Sequence, residues 1–182
     1  VAHDADRGRT LFVGGGHTWA YADGEFQELQ GVNSPPHIGF GGILECHYAS
    51  GLVVLHGSHA DSLQRYDERT WLFDGSRWTA QVYSPRPLPG LAVRMSSTYD
   101  PVGRRILAFD DRFDELWSFR PGAGWQVVSH GPPITGARIA FDTARQRLVL
   151  VEIAYDRVWE WDGSTWAQIA HELAEIVRWR RE

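Results

Sequence analysis

Short apolar runs alternate with turns rich in Asp, Gly and Pro along the chain, as in the run Arg147–Glu152 (RLVLVE). Aromatic residues often stand two positions apart, as Trp159 and Trp161 do, so both side chains point to one face of an extended strand. Period-two alternation bounded by turn residues is typical of β-strands. The pattern therefore predicts an all-β fold.

One sequence unit occurs four times. In each copy a tryptophan is followed, seven or eight positions later, by a second aromatic residue. The first tryptophans are 52, 46 and 42 positions apart. The four pairs are Trp19 and Phe26, Trp71 and Trp78, Trp117 and Trp125, and Trp159 and Trp166. Repeats of about 40–50 residues that each contain four short strands are typical of β-propeller blades.

A second signature lies upstream in three of the units, where Asp and Arg stand five positions apart. The pairs are Asp4 and Arg9, Asp100 and Arg105, and Asp142 and Arg147. We name the strands of each unit A to D and expect each pair to join strands A and B across their turn. The second unit lacks both residues. Asp-Gly between apolar runs predicts the turn from strand C to strand D.

The combined pattern of aromatic-Asp, Arg, apolar run, Gly-Gly, Trp-x-aromatic-Asp-Gly and Trp resembles the kelch repeat of galactose-oxidase-like propellers. Gly14 and Gly15 stand where the kelch double glycine is expected. The resemblance implies one β-propeller domain, 1–182, of four kelch-like blades that form a closed four-bladed ring or part of a larger ring. The blades are expected at about 1–30, 42–83, 93–129 and 137–170. The tail 171–182 would be a closing strand or a short helix.

The repeated aromatic residues are expected to fill the gaps between stacked blades. Each buried ring removes about 150–250 Å² from water. The alternatives for VWEWDGSTWAQI, residues 158–169, are a sugar-stacking platform and a sialidase-type aspartate box. The aspartate box does not fit, because Asp162 and Gly163 are adjacent and no Ser stands two residues before the Asp.

The composition narrows the function classes. The net charge is −5, which argues against a nucleic-acid binder, and the 18 basic residues are all Arg, so no Schiff-base lysine is present. The single Cys46 excludes an intrachain disulfide, and no apolar run is long enough for a membrane span. No signal peptide is visible, and we expect the native N-terminus to lie upstream. A soluble protein is expected, and both a cytoplasmic and a secreted location stay open.

Antiparallel strands place the A–B and C–D turns on one face of the disc and the B–C loops and D–A connections on the other. We call this second face the loop face. Its segments are longer and less alike, and ligand binding usually resides in such variable loops. The candidate contact residues on the loop face are His17, His37, His59, Asp61, Arg65, Tyr66, Arg86, Asp111, Arg112, His130, Tyr155 and Asp156.

Catalytic and metal-binding patterns are weak. A galactose-oxidase-type copper centre needs a Cys joined to a Tyr with further Tyr and His ligands, which cannot be placed around Cys46. The string His56, His59 and Asp61 lacks a flanking metal signature. Cys46 and His47 are neighbours in a strand and so point to opposite faces. We therefore expect no cofactor and no metal.

The leading hypothesis is a non-catalytic module that binds a protein or peptide on the loop face, where Arg and His would suit an acidic segment. One alternative is a carbohydrate-binding propeller that uses Tyr66, Phe113 or Tyr155 as stacking rings. A third is a propeller hydrolase or oxidase with an axial site. Nucleic acid and membranes are not expected as partners, and an oligomer is expected only if two chains share one ring.

Overall fold

The protein is described here from a computed structural model, which covers residues 1–35, 42–57, 69–87 and 95–170. Within these ranges, the chain folds into sixteen strands and a short 3-10 turn at Ala5–Arg7. The strands form four antiparallel four-stranded sheets in which sequence neighbours pair in order. The all-β prediction with four blades is confirmed. No helix in these ranges is both long and apolar enough to cross a membrane.

Each blade is a simple meander from strand A to strand D. Blade 1 contains β1 (Ala2–Asp4), β2 (Arg9–Gly14), β3 (His17–Ala22) and β4 (Glu25–Glu28). Blade 2 contains β5 (Ile43–His47), β6 (Leu52–His56), β7 (Thr70–Phe73) and β8 (Trp78–Gln81). Blade 3 contains β9 (Met95–Asp100), β10 (Arg105–Asp110), β11 (Glu115–Arg120) and β12 (Gly124–His130). Blade 4 contains β13 (Ala137–Asp142), β14 (Arg147–Glu152), β15 (Arg157–Trp161) and β16 (Trp166–Ala170).

The core lies in the seams, by which we mean the interfaces between adjacent blades. In the first seam, Trp71, Phe73 and Trp78 of blade 2 pack on Leu11 and Ala20 of blade 1. The second and third seams repeat this arrangement with the aromatic residues of blades 3 and 4. Blades 2, 3 and 4 thus each present the aromatic face to the blade before them, as the repeat predicts.

Hydrogen bonds cross the three seams at the second aromatic residue of blades 2, 3 and 4. The indole nitrogen of Trp78 donates to Thr18 Oγ1 at 3.0 Å, and that of Trp125 donates to Thr70 Oγ1 at 2.9 Å. The indole of Trp166 donates to Ser129 Oγ at 3.1 Å. These bonds satisfy the only polar atom of each ring in a buried setting, where an unpaired donor would be costly.

Blade 1 departs from the predicted burial of the aromatic residues. Trp19 is 39% exposed and Phe26 is 61% exposed, whereas Trp71 and Trp78 in blade 2 are buried. The innermost strands pack in the order β1, β5, β9 and β13, and no comparable packing in the described ranges joins β13 to β1. The prediction that these two rings are buried is wrong, because no blade formed by the described residues covers the aromatic face of blade 1. In the part of the chain that the structure describes, the four blades therefore form an open arc.

An Asp side chain stabilises the A–B turns of blades 1, 3 and 4 by binding an Arg side chain. In blade 4 the Arg is not the predicted one. Asp4 accepts a hydrogen bond from Arg9 at 2.9 Å, and Asp100 accepts one from Arg105 at 2.8 Å, as predicted. In blade 4 the prediction is wrong, because Asp142 pairs with Arg145 instead. In blade 2, which lacks the Asp, His47 performs this role. Its Nδ1 lies 2.8 Å from Ser50 Oγ and its Nε2 lies 2.9 Å from the carbonyl oxygen of Arg104 in blade 3.

The Asp-Gly turns of blades 2 and 4 are closed by the Asp side chain. Asp74 Oδ1 accepts the backbone N–H groups of Ser76 and Arg77, and these bonds, together with one from the Ser76 hydroxyl, lower the pKa of Asp74 to about 2. Asp162 caps its turn in the same way, and the same kind of bonds lower its pKa. The following glycine, Gly75, has a φ of 97°, which an L-residue adopts only with strain.

Candidate functional site

A cleft of about 600 Å³ opens on the loop face between blades 3 and 4. It is formed by the B–C turns of the two blades and by the D–A connection that joins them. We call it the loop-face cleft, and its lining residues are Asp111, Arg112, Asp114, Pro133, Ile134, Thr135, Glu152, Tyr155 and Arg157. It lies where the variable segments of the sequence predicted a site.

Two short turns shape the cleft. The B–C turns of blades 3 and 4 each connect their strands through four residues, 111–114 and 153–156. The last residue of each turn, Asp114 or Asp156, is left-handed, with a φ of 55° or 53°. Asp tolerates this conformation better than most residues. The two turns therefore reverse the chain in the same way and present different side chains, Asp111 and Tyr155, toward one cleft.

The D–A connection forms the floor and is fastened to both turns. The Gly136 backbone N–H donates to Asp111 Oδ2 at 2.6 Å, and the Thr135 N–H donates to Glu152 Oε1 at 3.4 Å. The Gly131 N–H donates to the carbonyl oxygen of Asp114 at 2.7 Å. These bonds tie a segment that lacks secondary structure to the ends of two rigid blades, so the cleft is formed before a ligand arrives.

The two arginines of the cleft already have acidic partners. Arg112 binds Asp110 through both carboxylate oxygens, at 2.8 Å from Nε and 2.5 Å from Nη2. Arg157 Nε donates to Glu152 Oε2 at 2.5 Å, and this hydrogen bond raises the pKa of Arg157. Both carboxylates are almost fully buried. The positive charge on these side chains is therefore largely balanced within the protein.

Asp111 differs from the other acids of the cleft. Its side chain is 5% exposed, and only Oδ2 is bound, to the Gly136 N–H. Its second oxygen, Oδ1, is buried and accepts no hydrogen bond from any residue that the structure describes. Burying a carboxylate oxygen without a donor is unfavourable, so Oδ1 is poised to accept an N–H donor or to face a cation.

The predicted contact residues fall into three groups. Asp111, Arg112 and Tyr155 line the loop-face cleft, and Asp156 is exposed in the same turn as Tyr155. Elsewhere, His17 Nδ1 lies 2.5 Å from Glu28 Oε1, Arg86 donates to the carbonyl oxygen of Tyr83, and His130 is exposed at the end of β12. The remaining candidates lie outside the described residues: His37, His59, Asp61, Arg65 and Tyr66.

Sequence reasoning placed the D–A connections on the loop face but did not single out the cleft residues of this connection, nor the residue at the end of strand B in blade 4. These residues are Pro133, Ile134 and Thr135 in the floor of the cleft and Glu152, which also lines it. Glu152 has a signal in the sequence, since it replaces the second kelch glycine at the end of an apolar strand. An acid at that position needs a partner, and Arg157 stands five residues later, across the turn.

A smaller cleft of about 350 Å³ lies on the opposite face, beside the innermost strands of blades 2 and 3. Burial is the main reason that the pKa of Glu45 in this cleft is raised. The adjacent Cys46 is buried in the first seam, and burial raises the pKa of its thiol to about 11. In the part of the chain that the structure describes, no group of three or more His, Cys, Asp or Glu could hold a metal ion.

No protein-family model matches this chain, and the comparison with curated proteins gives no match either. The structure is similar to solved β-propellers. A chain of a nidogen/laminin complex has a TM-score of 0.57 at 15% identity, over 89% of this chain and 61% of that one. YCF48 bound to D1 peptide has a TM-score of 0.52 at 12% identity, over 90% of this chain and 49% of that one.

A virginiamycin B lyase from Staphylococcus aureus has a TM-score of 0.52 at 12% identity, over 91% of this chain and 56% of that one. At these identities the likeness concerns the fold alone. The chain adopts a β-propeller fold with four blades. It spans about half to three-fifths of the length of these propellers, which agrees with an open arc.

Proposed function

We propose that this chain is a non-catalytic binding module of kelch-like repeats that recognises a protein or peptide segment in the loop-face cleft. The observation that carries the proposal is the buried, unpaired Oδ1 of Asp111. The kelch assignment is supported by the sequence motif. Similar propellers occur in a nidogen/laminin complex and in YCF48 bound to D1 peptide, which supports a protein or peptide ligand.

The charged groups of the cleft indicate which kind of side chain a ligand would carry. Arg112 and Arg157 are paired with Asp110 and Glu152, so they offer little to an acidic segment. Asp111 Oδ1 can accept a hydrogen bond from a Lys or Arg side chain or from a peptide N–H. The sequence suggested an acidic partner. We instead propose that the ligand is a segment that carries a basic side chain.

The apolar part of the cleft suits a neighbouring side chain of the same segment. Ile134 is buried beside Pro133, whereas the ring of Tyr155 is largely exposed. A basic residue flanked by an apolar residue would place its N–H donors at Asp111 and its neighbour against Ile134 and Tyr155. A mixed surface with one placed polar group is typical of ligand sites.

A peptide-display selection tests the proposal. Immobilised wild-type protein is expected to enrich linear peptides that contain Lys or Arg next to an apolar residue. The affinity of an enriched peptide is then measured by titration calorimetry for wild type and for Asp111→Asn. Loss of a hydrogen bond to a charged group costs about 1.5–3 kcal/mol, so the peptide should bind about 10- to 100-fold more weakly to the variant.

Asn retains an oxygen that can accept the Gly136 N–H, so Asp111→Asn is expected to fold. The matched control is Asp156→Asn, which changes an exposed carboxylate in the adjoining turn and should leave the affinity within about twofold. The proposal fails if no peptide is enriched, or if Asp111→Asn binds as tightly as wild type.

A carbohydrate ligand is the second candidate, and the exposure of Phe113 and Tyr155 on the loop face favours it. Exposed aromatic rings can stack on the apolar faces of sugars. The Arg157 guanidinium lies 5.1 Å from the Tyr155 ring centroid, so Arg157 contributes to holding that ring in place. A glycan array on wild type and Tyr155→Ala separates the candidates, because sugar binding lost in the variant would favour this second function.

A further inference from the structure

The aromatic face of blade 1 is exposed, whereas the equivalent faces of the other blades are wholly or partly buried. It consists of Phe12, Trp19, Tyr21 and Phe26, and we call it the leading face. Its rings pack on one another, with centroids 5.2 Å apart for Phe12 and Phe26 and 4.8 Å apart for Tyr21 and Phe26. Trp19 and Tyr21 are about 40% exposed and Phe26 is 61% exposed.

The equivalent face of every other blade forms a seam. Trp71 and Phe73 stand at the positions of Trp19 and Tyr21, and both are buried against blade 1. Phe119 and Trp125 of blade 3 are buried against blade 2 in the same way. The leading face of blade 1 therefore has the composition and position of a seam, and lacks a blade to cover it within the described residues.

The complementary surface lies at the other end of the arc. Val149, Val151 and Ile169 of blade 4 form what we call the trailing face, and Ile169 is 48% exposed. They stand at the positions of Leu107, Phe109 and Val128 in blade 3, which pack on blade 4 in the third seam. The trailing face can therefore receive a leading face as blade 3 receives blade 4.

We propose that two copies of this chain associate head to tail, with the leading face of each copy seated on the trailing face of the other. The contact joins two different surfaces, so it forms a ring only if the geometry closes. This chain aligns with 49–61% of the length of similar propellers, so two arcs of this size would complete about one ring. Eight blades lie within the range of about four to eight that β-propellers adopt.

Light scattering after size exclusion tests the assembly. The wild-type protein is expected to have twice the mass of the 20.6 kDa chain over a wide range of protein concentrations. Trp19→Glu and Ile169→Glu each place a charge in both seams of the pair, and each variant alone is expected to run as a monomer. The matched control is Val102→Ser, which changes an exposed apolar residue in the A–B turn of blade 3.

Mixing the two variants makes the test specific for head-to-tail pairing. A mixed pair retains one unaltered seam, between the leading face of the Ile169→Glu copy and the trailing face of the Trp19→Glu copy. The mixture should therefore recover pairs that neither variant forms alone. Circular dichroism checks that both variants are folded, which is expected because both side chains are substantially exposed within one chain.

Several outcomes overturn the proposal. A wild-type monomer at every concentration would show that a second copy does not cover these faces. Species that grow with concentration would indicate an open filament. A pair disrupted by Trp19→Glu and unaffected by Ile169→Glu would indicate that two leading faces meet directly, and a mixture that stays monomeric would exclude the single-seam pair.

Discussion

The threonine at the start of β7 should be the most sensitive small residue in the seams. Thr70 is fully buried, and its hydroxyl joins blade 3 to blade 2. Trp125 Nε1–H donates to Thr70 Oγ1 at 2.9 Å, and His56 Nδ1 lies 3.0 Å from the same oxygen. His56 Nε2 is 3.2 Å from the carbonyl oxygen of Pro87. Hydrogen bonds thus run from the Trp125 indole through the Thr70 hydroxyl and the His56 ring to the Pro87 carbonyl oxygen. Each of these four buried polar groups therefore has a partner.

Thr70→Val tests the value of this chain, because valine keeps the β-branched shape and removes only the hydroxyl. The change leaves the buried Trp125 N–H without its acceptor, which costs about 1–3 kcal/mol. It also removes the hydrogen bond to His56, worth about 0.5–1.5 kcal/mol. We expect the free energy of unfolding to fall by about 2–4 kcal/mol.

Urea unfolding followed by far-ultraviolet circular dichroism measures the difference. The matched control is Thr79→Val on β8, an exposed threonine whose replacement should change stability by less than about 0.5 kcal/mol. A double-mutant cycle with Trp125→Phe should give a coupling energy of about 0.5–3 kcal/mol. A Thr70→Val protein as stable as wild type, or a coupling energy of zero, would refute the reasoning.

Three further outcomes are expected. Asp74→Ala should lower the free energy of unfolding by about 1 kcal/mol at pH 7. Because the folded pKa of Asp74, about 2, lies below its usual value, this stabilisation is present above about pH 4 and disappears in urea titrations toward pH 2; an unchanged difference there would contradict the prediction. Cys46 should react with a thiol reagent at pH 8 about 100-fold more slowly in the folded than in the unfolded protein; equal rates would show that it is accessible. Trp71→Ala should destabilise the fold by about 3–5 kcal/mol in the same urea assay; a loss below 1 kcal/mol would count against its place in the seam.

Local sequence patterns were sufficient to predict the blades. Period-two aromatic pairs such as Trp117 and Phe119 determine which face of strand C is apolar, and the Asp-Gly turns fix where strand D begins. These signals act over fewer than about ten residues, so they can be recognised without knowledge of the tertiary fold. The same reasoning predicts a binding surface on the loop face, where the structure has a cleft, and its use for binding stays a prediction.

Long-range partners could not be predicted in the same way. Asp111 binds the amide of Gly136, which lies 25 residues away in another connection, and no local pattern specifies that contact. The charge of Arg112 and of the other Arg and His candidates on the loop face suggested an acidic partner, because the sequence does not show that Asp110 already binds Arg112. Asp142 has Arg145 and Arg147 within reach, and only the three-dimensional arrangement of the turn selects Arg145.

The exposure of Trp19 illustrates a second limit. Trp19 stands at the same position of the repeat as Trp71, so both were predicted to be buried. Burial depends on the presence of a neighbouring blade, which is a property of the whole arc rather than of the repeat. An aromatic residue that is exposed at one copy and buried at the equivalent copies therefore marks an end of the arc.

The most direct test of the binding function is an amide NMR titration of the wild-type protein with a peptide enriched by display. We expect the largest shift changes at the amides of Asp111, Thr135 and Gly136, and we expect Asp111→Asn to reduce them severalfold at a peptide concentration near the wild-type Kd. Shift changes centred on Tyr48 and Tyr99 in the opposite cleft, or changes that persist undiminished in Asp111→Asn, would contradict this expectation.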